Sequence, residues 1–428
     1  MKPGTFARII RNNYFKGSLR GTYWGAAALA GEIRALFRPN NRAFRHEVWR
    51  NQRRFVFSGV TPITGETGDR ARAAVRWLLR AQSMTHDDGV SLGYFPCSTG
   101  DNGWRPSYPE TTGYIISSLL AFAEQFDDRA TAAAAMQMVH WEMAVQMPSG
   151  AVQGGPVCAP EHQTAAAFNT GMVLDGWCAA YRHCNDPKLL EAARRAADFL
   201  VNDVDERGYF KTNGAFVSAG EIKTYTCLCA WAIYQFGDLV QESRYRNAAI
   251  QVIEAALRQQ QPNGWFAHNC LTHSESPLTH TIGYTLQGIL EVGILAGRQD
   301  FIAAVRQTVD ALLPRISSTG FLPGRFYADW EPAGFSSCLT GSAQIAIVGY
   351  RLFEQTGEAK YRTQADKLVN YLKGLQVCRS KEAGVSGAIA GSFPLFGSYM
   401  RAGYPNWATK YFVDALLLQH RHVLLNEK

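Results

Sequence analysis

Five apolar segments recur along this chain, and their spacing limits the folds open to it. They are TGYIISSLLAFAE from Thr112, TGMVLDGWCAAY from Thr170, TYTCLCAWAIYQF from Thr224, TIGYTLQGILEVG from Thr281 and TGSAQIAIVGYRLF from Thr340. Successive starts lie 58, 54, 57 and 59 residues apart. A fixed period of this size marks a repeat architecture. Each segment is apolar on nearly every side, which describes a helix buried all round. Between them run helices of another kind. In residues 187–203, Leu189, Ala193, Ala196, Ala197, Leu200 and Val201 fall on one face and Lys188, Glu191, Arg194, Arg195 and Asp198 on the other. Residues 299–313 and 360–375 repeat that 3.6-residue period. These are outer helices with one dry stripe. Glycine–aromatic turns are expected after them, at Gly93, Gly208, Gly264, Gly320 and Gly391, while residues 148–155 keep the glycines without the aromatic.

Helices are expected to start near residues 70, 112, 130, 165, 187, 223, 242, 280, 299, 340, 360 and 406. That makes six hairpins once the first helix, which has no partner before it, pairs with the last, which has none after it. An open solenoid would need polar capping repeats at its ends. The expected fold class is therefore all-α: an (α/α)6 toroid over residues 60–428, with residues 1–59 as a basic N-terminal extension.

With 428 residues, 46% of them hydrophobic, the chain can bury a large core. Much of its net charge of +7 is concentrated at the start. Lys2, Arg8, Arg11, Lys16, Arg20, Arg34, Arg38, Arg42, Arg45, Arg50, Arg53 and Arg54 face only Glu32 and Glu47 there. Neither zinc-finger spacing nor a basic helix with heptads accompanies them, so nucleic acid is not an expected partner. A solvated extension and a peripheral contact with an anionic membrane through residues 1–50 both remain open. No run approaches a membrane span, and residues 21–33 do not make a convincing secretory signal. The nine cysteines, odd in number and without a CxxC pair, read as reduced residues of a cytoplasmic protein, peripheral to a membrane if the extension binds one.

Six hairpins, buried inner helices and glycine–aromatic turns resemble the (α/α)6 toroids of carbohydrate-active enzymes. Among these are unsaturated glucuronyl hydrolases, polysaccharide lyases, N-acylglucosamine 2-epimerases and the C-terminal domain of D-glucuronyl C5-epimerases. The resemblance spans nearly the whole chain and is architectural, and it implies a sugar substrate without carrying over any catalytic residue. No cofactor is implied. Cys270, His268 and His273 lack a second cysteine at ligand spacing, so no metal site is expected.

In such a ring, the loops leading into the inner helices gather at one mouth. Glu110 and Glu221 are expected at first turns of inner helices, with Asp329 and Glu331 in a later loop. As carboxylates at helix starts, the two glutamates would also serve as simple helix-dipole partners, worth about 0.3–1 kcal/mol. His280 with Tyr284 one turn later suits proton removal and return. His162, His268 and His273 occupy the same set of loops. Trp104, Tyr108, Trp265, Trp330, Tyr399 and Trp407 offer faces for stacking on sugars, or ordinary loop packing. Arg105, Arg325, Arg401 and Lys410 suit a sugar carboxylate, or salt bridges within the protein.

Three functions follow as expectations. The first is an enzyme that abstracts a proton from an acidic glycan, a lyase or epimerase of surface-polysaccharide metabolism. The second is a glycoside hydrolase with paired carboxylates. The third is a non-catalytic glycan-binding or scaffold protein of a polysaccharide-assembly complex.

Overall fold

The computed structural model describes residues 19–98, 102–214, 221–271 and 274–426. Among them, helices run in the order α1 (Leu19–Leu36), α2 (Arg42–Arg53), α3 (Thr67–Ser83), α4 (Pro109–Phe126), α5 (Arg129–Val145), α6 (Ala167–Cys184) and α7 (Pro187–Asp203). There follow α8 (Cys227–Val240), α9 (Ser243–Leu257), α10 (Thr279–Leu295), α11 (Gln299–Leu312), α12 (Leu339–Thr356), α13 (Ala359–Leu375) and α14 (Asn406–Asn426). From α3 onward, odd numbers are outer helices and even numbers inner ones. Each even helix packs on the next, α14 packs on α4 and α3, and the ring closes as an (α/α)6 toroid.

Local chemistry explains where the helices begin. Pro109 and Pro187 occupy first-turn positions, where a missing N–H costs nothing. Asp128 and Asp186 accept the N–H groups of Thr131 and Lys188, at 3.0 and 2.8 Å, and so cap α5 and α7. The threonine that opens several apolar segments has a specific task. Thr112 Oγ1 accepts the Val90 N–H at 2.9 Å, and Thr170 Oγ1 accepts that of Val152 at 2.9 Å. Thr409 does the same for Ile389 at 3.2 Å. These three inner helices, α4, α6 and α14, are thereby tied to the segments that follow the preceding outer helices.

Closure has its own contacts. Thr67 Oγ1 donates to Gln419 Oε1 at 3.1 Å, joining α3 to α14. Trp77, fully buried, donates its indole N–H to the Gly384 carbonyl at 2.8 Å. Two-residue strands at Gly93–Tyr94 and Tyr404–Pro405 pair antiparallel across the same seam.

The turn glycines follow a slightly different rule from the one expected. Gly208, Gly264 and Gly320 have φ of 92°, 81° and 98°, and each leans on a backbone carbonyl of the next outer helix. At the seam that place is taken by Gly387 (φ 102°), set against the Ala73 carbonyl of α3, and not by Gly391. The following aromatic is dispensable, because Gly150 (φ 86°) sits in the same way against Arg195. What repeats is a left-handed residue with no room for a Cβ.

Helices α1 and α2 lie outside the ring. Phe44 is fully buried against Tyr94 and Tyr404, with ring centroids 6.3 and 6.5 Å away. Asn51 Oδ1 accepts the Leu395 N–H at 2.7 Å. Among the described residues no helix is long and apolar enough to cross a membrane. All nine cysteines are unpaired.

Substituting Gly387 and Gly357 separates backbone strain from crowding. Gly357 also has positive φ (70°) but has no atom within 4 Å of an added Cβ. Gly357→Ala should cost about 1–2 kcal/mol, the left-handed penalty alone. Gly387→Ala should cost at least about 2 kcal/mol more, since α3 must also move. Urea unfolding midpoints measure both, and equal losses would mean that the seam is loosely packed.

Candidate active site

All the even-numbered helices begin at one end of the ring, and a hollow of about 310 Å³ opens there. Their first two turns supply its chemistry: Glu110 from α4, Phe168 and Asn169 from α6, His280 and, one turn later, Tyr284 from α10, and Trp407 from α14. Tyr225 comes from the short turn ahead of α8, and Tyr108 and Tyr399 come from loops. Aromatic rings form much of the wall. Phe168 lies 4.9 Å from Tyr284 and 5.3 Å from Tyr225, centroid to centroid. His280 lies 4.3 Å from Tyr284 and 5.5 Å from Tyr399. Trp407 donates its indole N–H to the Tyr399 hydroxyl at 2.8 Å.

Two titratable groups line this hollow with opposite shifts. Burial among protein atoms pushes the Glu110 carboxyl up from 4.5 to about 7, while a hydrogen bond from Tyr108 pulls the other way. Glu110 still keeps part of its surface open, and that part faces the hollow. Burial pushes His280 down from 6.5 to about 4, opposed by its hydrogen bond to Gln344. His280 Nδ1 lies 2.8 Å from Gln344 Oε1. A carbonyl oxygen only accepts, so Nδ1 carries the proton and Nε2 keeps the lone pair. The ring is therefore a neutral base near pH 7, and Glu110 titrates near neutrality. Burial also raises the Tyr284 hydroxyl well above its ordinary range, so it remains a proton donor.

The other expected residues lie elsewhere. Glu221 is exposed at the rim and pairs with the buried Lys223 at 2.7 Å. It belongs to a loop ahead of α8 and not to a helical first turn. Asp329 is exposed and accepts the Glu331 N–H at 3.1 Å within a turn, and Glu331 lies 3.9 Å from Arg315. Trp265 and Trp330 pack on each other at 5.1 Å, and Trp330 donates to the Asn263 carbonyl at 3.0 Å. Trp104 packs on Trp77 at 5.5 Å and Tyr94 at 5.3 Å. His162 and His268 are exposed, and neither lines the hollow. His273 lies outside the described residues.

None of the expected cations lines the hollow. Arg105 lies over Phe95 at 5.6 Å and donates to Ser98 Oγ at 3.1 Å. Arg325 donates to the Ser276 carbonyl at 2.7 Å. Arg401 forms a two-pronged pair with Glu32 of α1, at 2.6 and 3.2 Å. Lys410 is buried, pairs with Asp414 at 2.8 Å and lies over the Tyr411 ring at 4.1 Å. Among the described residues, Glu110 is the one carboxylate lining the hollow, and neither Arg nor Lys lines it.

Phe168, Asn169 and Tyr225 were not among the expected site residues. A register in the sequence points to them. Glu110 and Trp407 stand two residues ahead of Thr112 and Thr409, and Phe168 stands two ahead of Thr170. Asn169, Tyr225 and His280 stand one ahead of Thr170, Thr226 and Thr281. Helix starts fixed by these threonines turn those positions toward the axis. Gln344 had no such signal, since its value lies in the histidine it contacts.

No family model matches the sequence, and no curated protein matches it significantly. Solved structures do match. A heparin-specific unsaturated glucuronyl hydrolase superposes with a TM-score of 0.69 at 15% identity, covering 85% of this chain and 98% of its own. The fold is the (α/α)6 toroid shared by carbohydrate-active enzymes. The unsaturated glucuronyl hydrolase of Bacillus sp. GL1 gives a TM-score of 0.66 at 17% identity, covering 83% and 97%. Cellobiose 2-epimerase from Bacillus thermoamylovorans gives 0.63 at 10% identity, covering 81% and 96%. Hydrolysis and epimerisation thus occur on the same ring, and the fold leaves the reaction to the site.

The two shifts make opposite statements about stability. Glu110 binds its proton more tightly folded than unfolded, so its contribution is present below pH 4.5 and is lost as pH rises through about 7. His280 binds its proton more weakly when folded, so its contribution is present above 6.5 and is lost as pH falls toward 4. Between pH 5 and 8, Glu110→Gln should gain up to about 3 kcal/mol of stability relative to the parent, read from paired urea midpoints. A pH-independent difference would show that Glu110 titrates as an ordinary carboxylate.

Proposed function

We propose that this protein is a carbohydrate-active enzyme that moves protons on the carbon skeleton of a sugar, most simply as an epimerase. The observation that carries the reading is one neutral base and one carboxyl raised toward neutrality, His280 and Glu110, lining the same hollow. A pair of groups whose surroundings push their pKa values apart is suited to divide base and acid roles. Nε2 of His280 takes a proton from a carbon next to a carbonyl. The Tyr284 hydroxyl, on the ring packed 4.3 Å from His280, steadies the oxygen that gains charge, and Glu110 returns a proton. The faces of Trp407, Tyr399 and Phe168 hold the ring or open chain of the sugar, and Asn169 offers amide contacts to its hydroxyls.

Charge selects between the two proton-abstracting reactions. β-Elimination needs a carboxylate on the sugar, and a cation beside that group would favour it. Glu110 would repel the carboxylate whenever ionised, and none of Arg105, Arg325, Arg401 and Lys410 lines the hollow. A neutral sugar entering the hollow, and an epimerase in preference to a lyase, fit this balance.

Hydrolysis is the second reading. Protonated Glu110 is a competent acid for a glycosidic oxygen, and glucuronyl hydrolases share the fold. Ordinary glycoside hydrolysis uses a second carboxylate about 5–10 Å from the first. Asn169 lies in the hollow instead, with its amide donating to the Gln153 carbonyl at 2.9 Å.

The test is a panel of neutral and uronate oligosaccharides incubated with the protein in deuterated water. Epimerisation incorporates deuterium into a C–H position and leaves the linkages whole. Elimination creates an ultraviolet-absorbing conjugated double bond, and hydrolysis creates reducing ends without deuterium on carbon. Deuterium incorporation is the expected result. His280→Gln and Glu110→Gln should each lower kcat by about 10²–10⁴, the usual worth of a positioned acid or base. New reducing ends with no exchange would replace this reading with the hydrolase.

A further inference from the structure

The chain carries a second surface outside the ring, built from α1, α2 and the turn after them. It is apolar and solvent-facing at once. Trp49 is 72% exposed, Phe57 83%, Phe37 65% and Val56 62%. Arg45, Trp49 and Arg53 follow one another at four-residue steps along one face of α2. The Arg45 guanidinium lies 5.4 Å over the Phe37 ring, which ties the end of α1 to that face. Arg34, Arg38, Arg42 and Arg53 are exposed around it.

The charge is one-sided. Residues 28–58 hold seven arginines and two glutamates, and both glutamates are engaged. Glu32 pairs with Arg401, while Glu47 is buried against Arg50 and accepts from Ser380 Oγ at 2.7 Å. Along the flank of α2 runs a groove of about 700 Å³ whose lining includes Arg50, Arg54, Arg70, Arg72, Arg76 and Arg379. Glu66 and Asp69 are the acidic residues of that lining.

We propose that this ridge and groove dock the protein on an anionic phospholipid surface. The arginines meet lipid phosphates, and Trp49, Val56 and Phe57 seat at headgroup level. Aromatic and aliphatic side chains interleaved with arginines match the boundary between headgroups and acyl chains. A second copy of this chain fits poorly, because a two-fold contact would set the same positive surfaces face to face. Docking also orients the ring. Glu32 of α1 holds Arg401, and the neighbouring Tyr399 and Met400 line the hollow. The inference stands whichever reaction the hollow performs.

Co-sedimentation of the full chain with vesicles tests it. One set is phosphatidylcholine alone, and the other is phosphatidylcholine mixed equally with phosphatidylglycerol. Binding is expected to the mixed vesicles only, with release when salt rises from about 0.1 to about 1 M and the screening length falls from about 10 to about 3 Å. Trp49→Ser with Phe57→Ser should weaken binding at least about tenfold while leaving the melting temperature unchanged. Arg42→Glu with Arg53→Glu should weaken it more, since each arginine near an anionic surface is worth a factor of about five. Equal sedimentation with both vesicle types, or variants that bind like the parent, would overturn the proposal. So would binding to soluble heparin without binding to vesicles, or a dimer abolished by the double serine variant in a protein that ignores vesicles.

Discussion

The close approach of neighbouring inner helices is the contact on which the rest of this structure depends. A Cβ added to Gly113 would come within 2.6 Å of the Val173 Cα, and one added to Gly283 within 2.6 Å of the Gln344 Cβ. A Cβ on Gly341 would meet Thr279 and the His280 nitrogen. Small residues at these crossings let six helices stand shoulder to shoulder around a narrow axis. A wider ring would leave a channel, and a tighter one would leave no hollow. Hairpin geometry does the rest: with outer and inner helices alternating in direction, every inner helix begins at the same end.

That convergence sets two electrostatic effects against each other at Glu110. Helix N-termini favour a carboxylate by about 0.3–1 kcal/mol. Enclosure by tyrosines and apolar walls moves the carboxyl from 4.5 to about 7, which corresponds to roughly 3 kcal/mol in the other direction. Burial wins, and Glu110 becomes an acid poised near neutrality. The same enclosure acts on His280 in reverse and keeps it neutral. One physical cause therefore shifts both members of the proposed acid–base pair in opposite directions, and Gln344 Oε1 lies 2.8 Å from His280 Nδ1.

The N-terminal helices are joined to this site without lining it. Phe44 anchors them by burial against the seam, and Glu32 grips Arg401 beside the loop that carries Tyr399 and Met400. An arginine that composition alone suggested for a substrate thus serves an internal contact, coupling the extension to the lip of the hollow.

Repeat length, two kinds of helical periodicity and the start of every helix from residue 70 onward were legible in the sequence, because burial on all sides and burial on one side leave different patterns. Ring closure was legible from the unpaired first and last helices. Within the hollow, Glu110, Tyr108, His280, Tyr284, Tyr399 and Trp407 could be picked out because each lies at, or leads into, the start of an inner helix. Tertiary structure alone decided that Asp329, Glu331, Trp265 and Trp330 lie in two turns outside the hollow, and that Arg325 and Arg401 are bound within the protein. It also decided that Gln344 sits behind His280. Periodicity specifies which face of a helix is buried, but the direction of a loop side chain depends on contacts with segments hundreds of residues away, and a single chain read in order does not contain those distances.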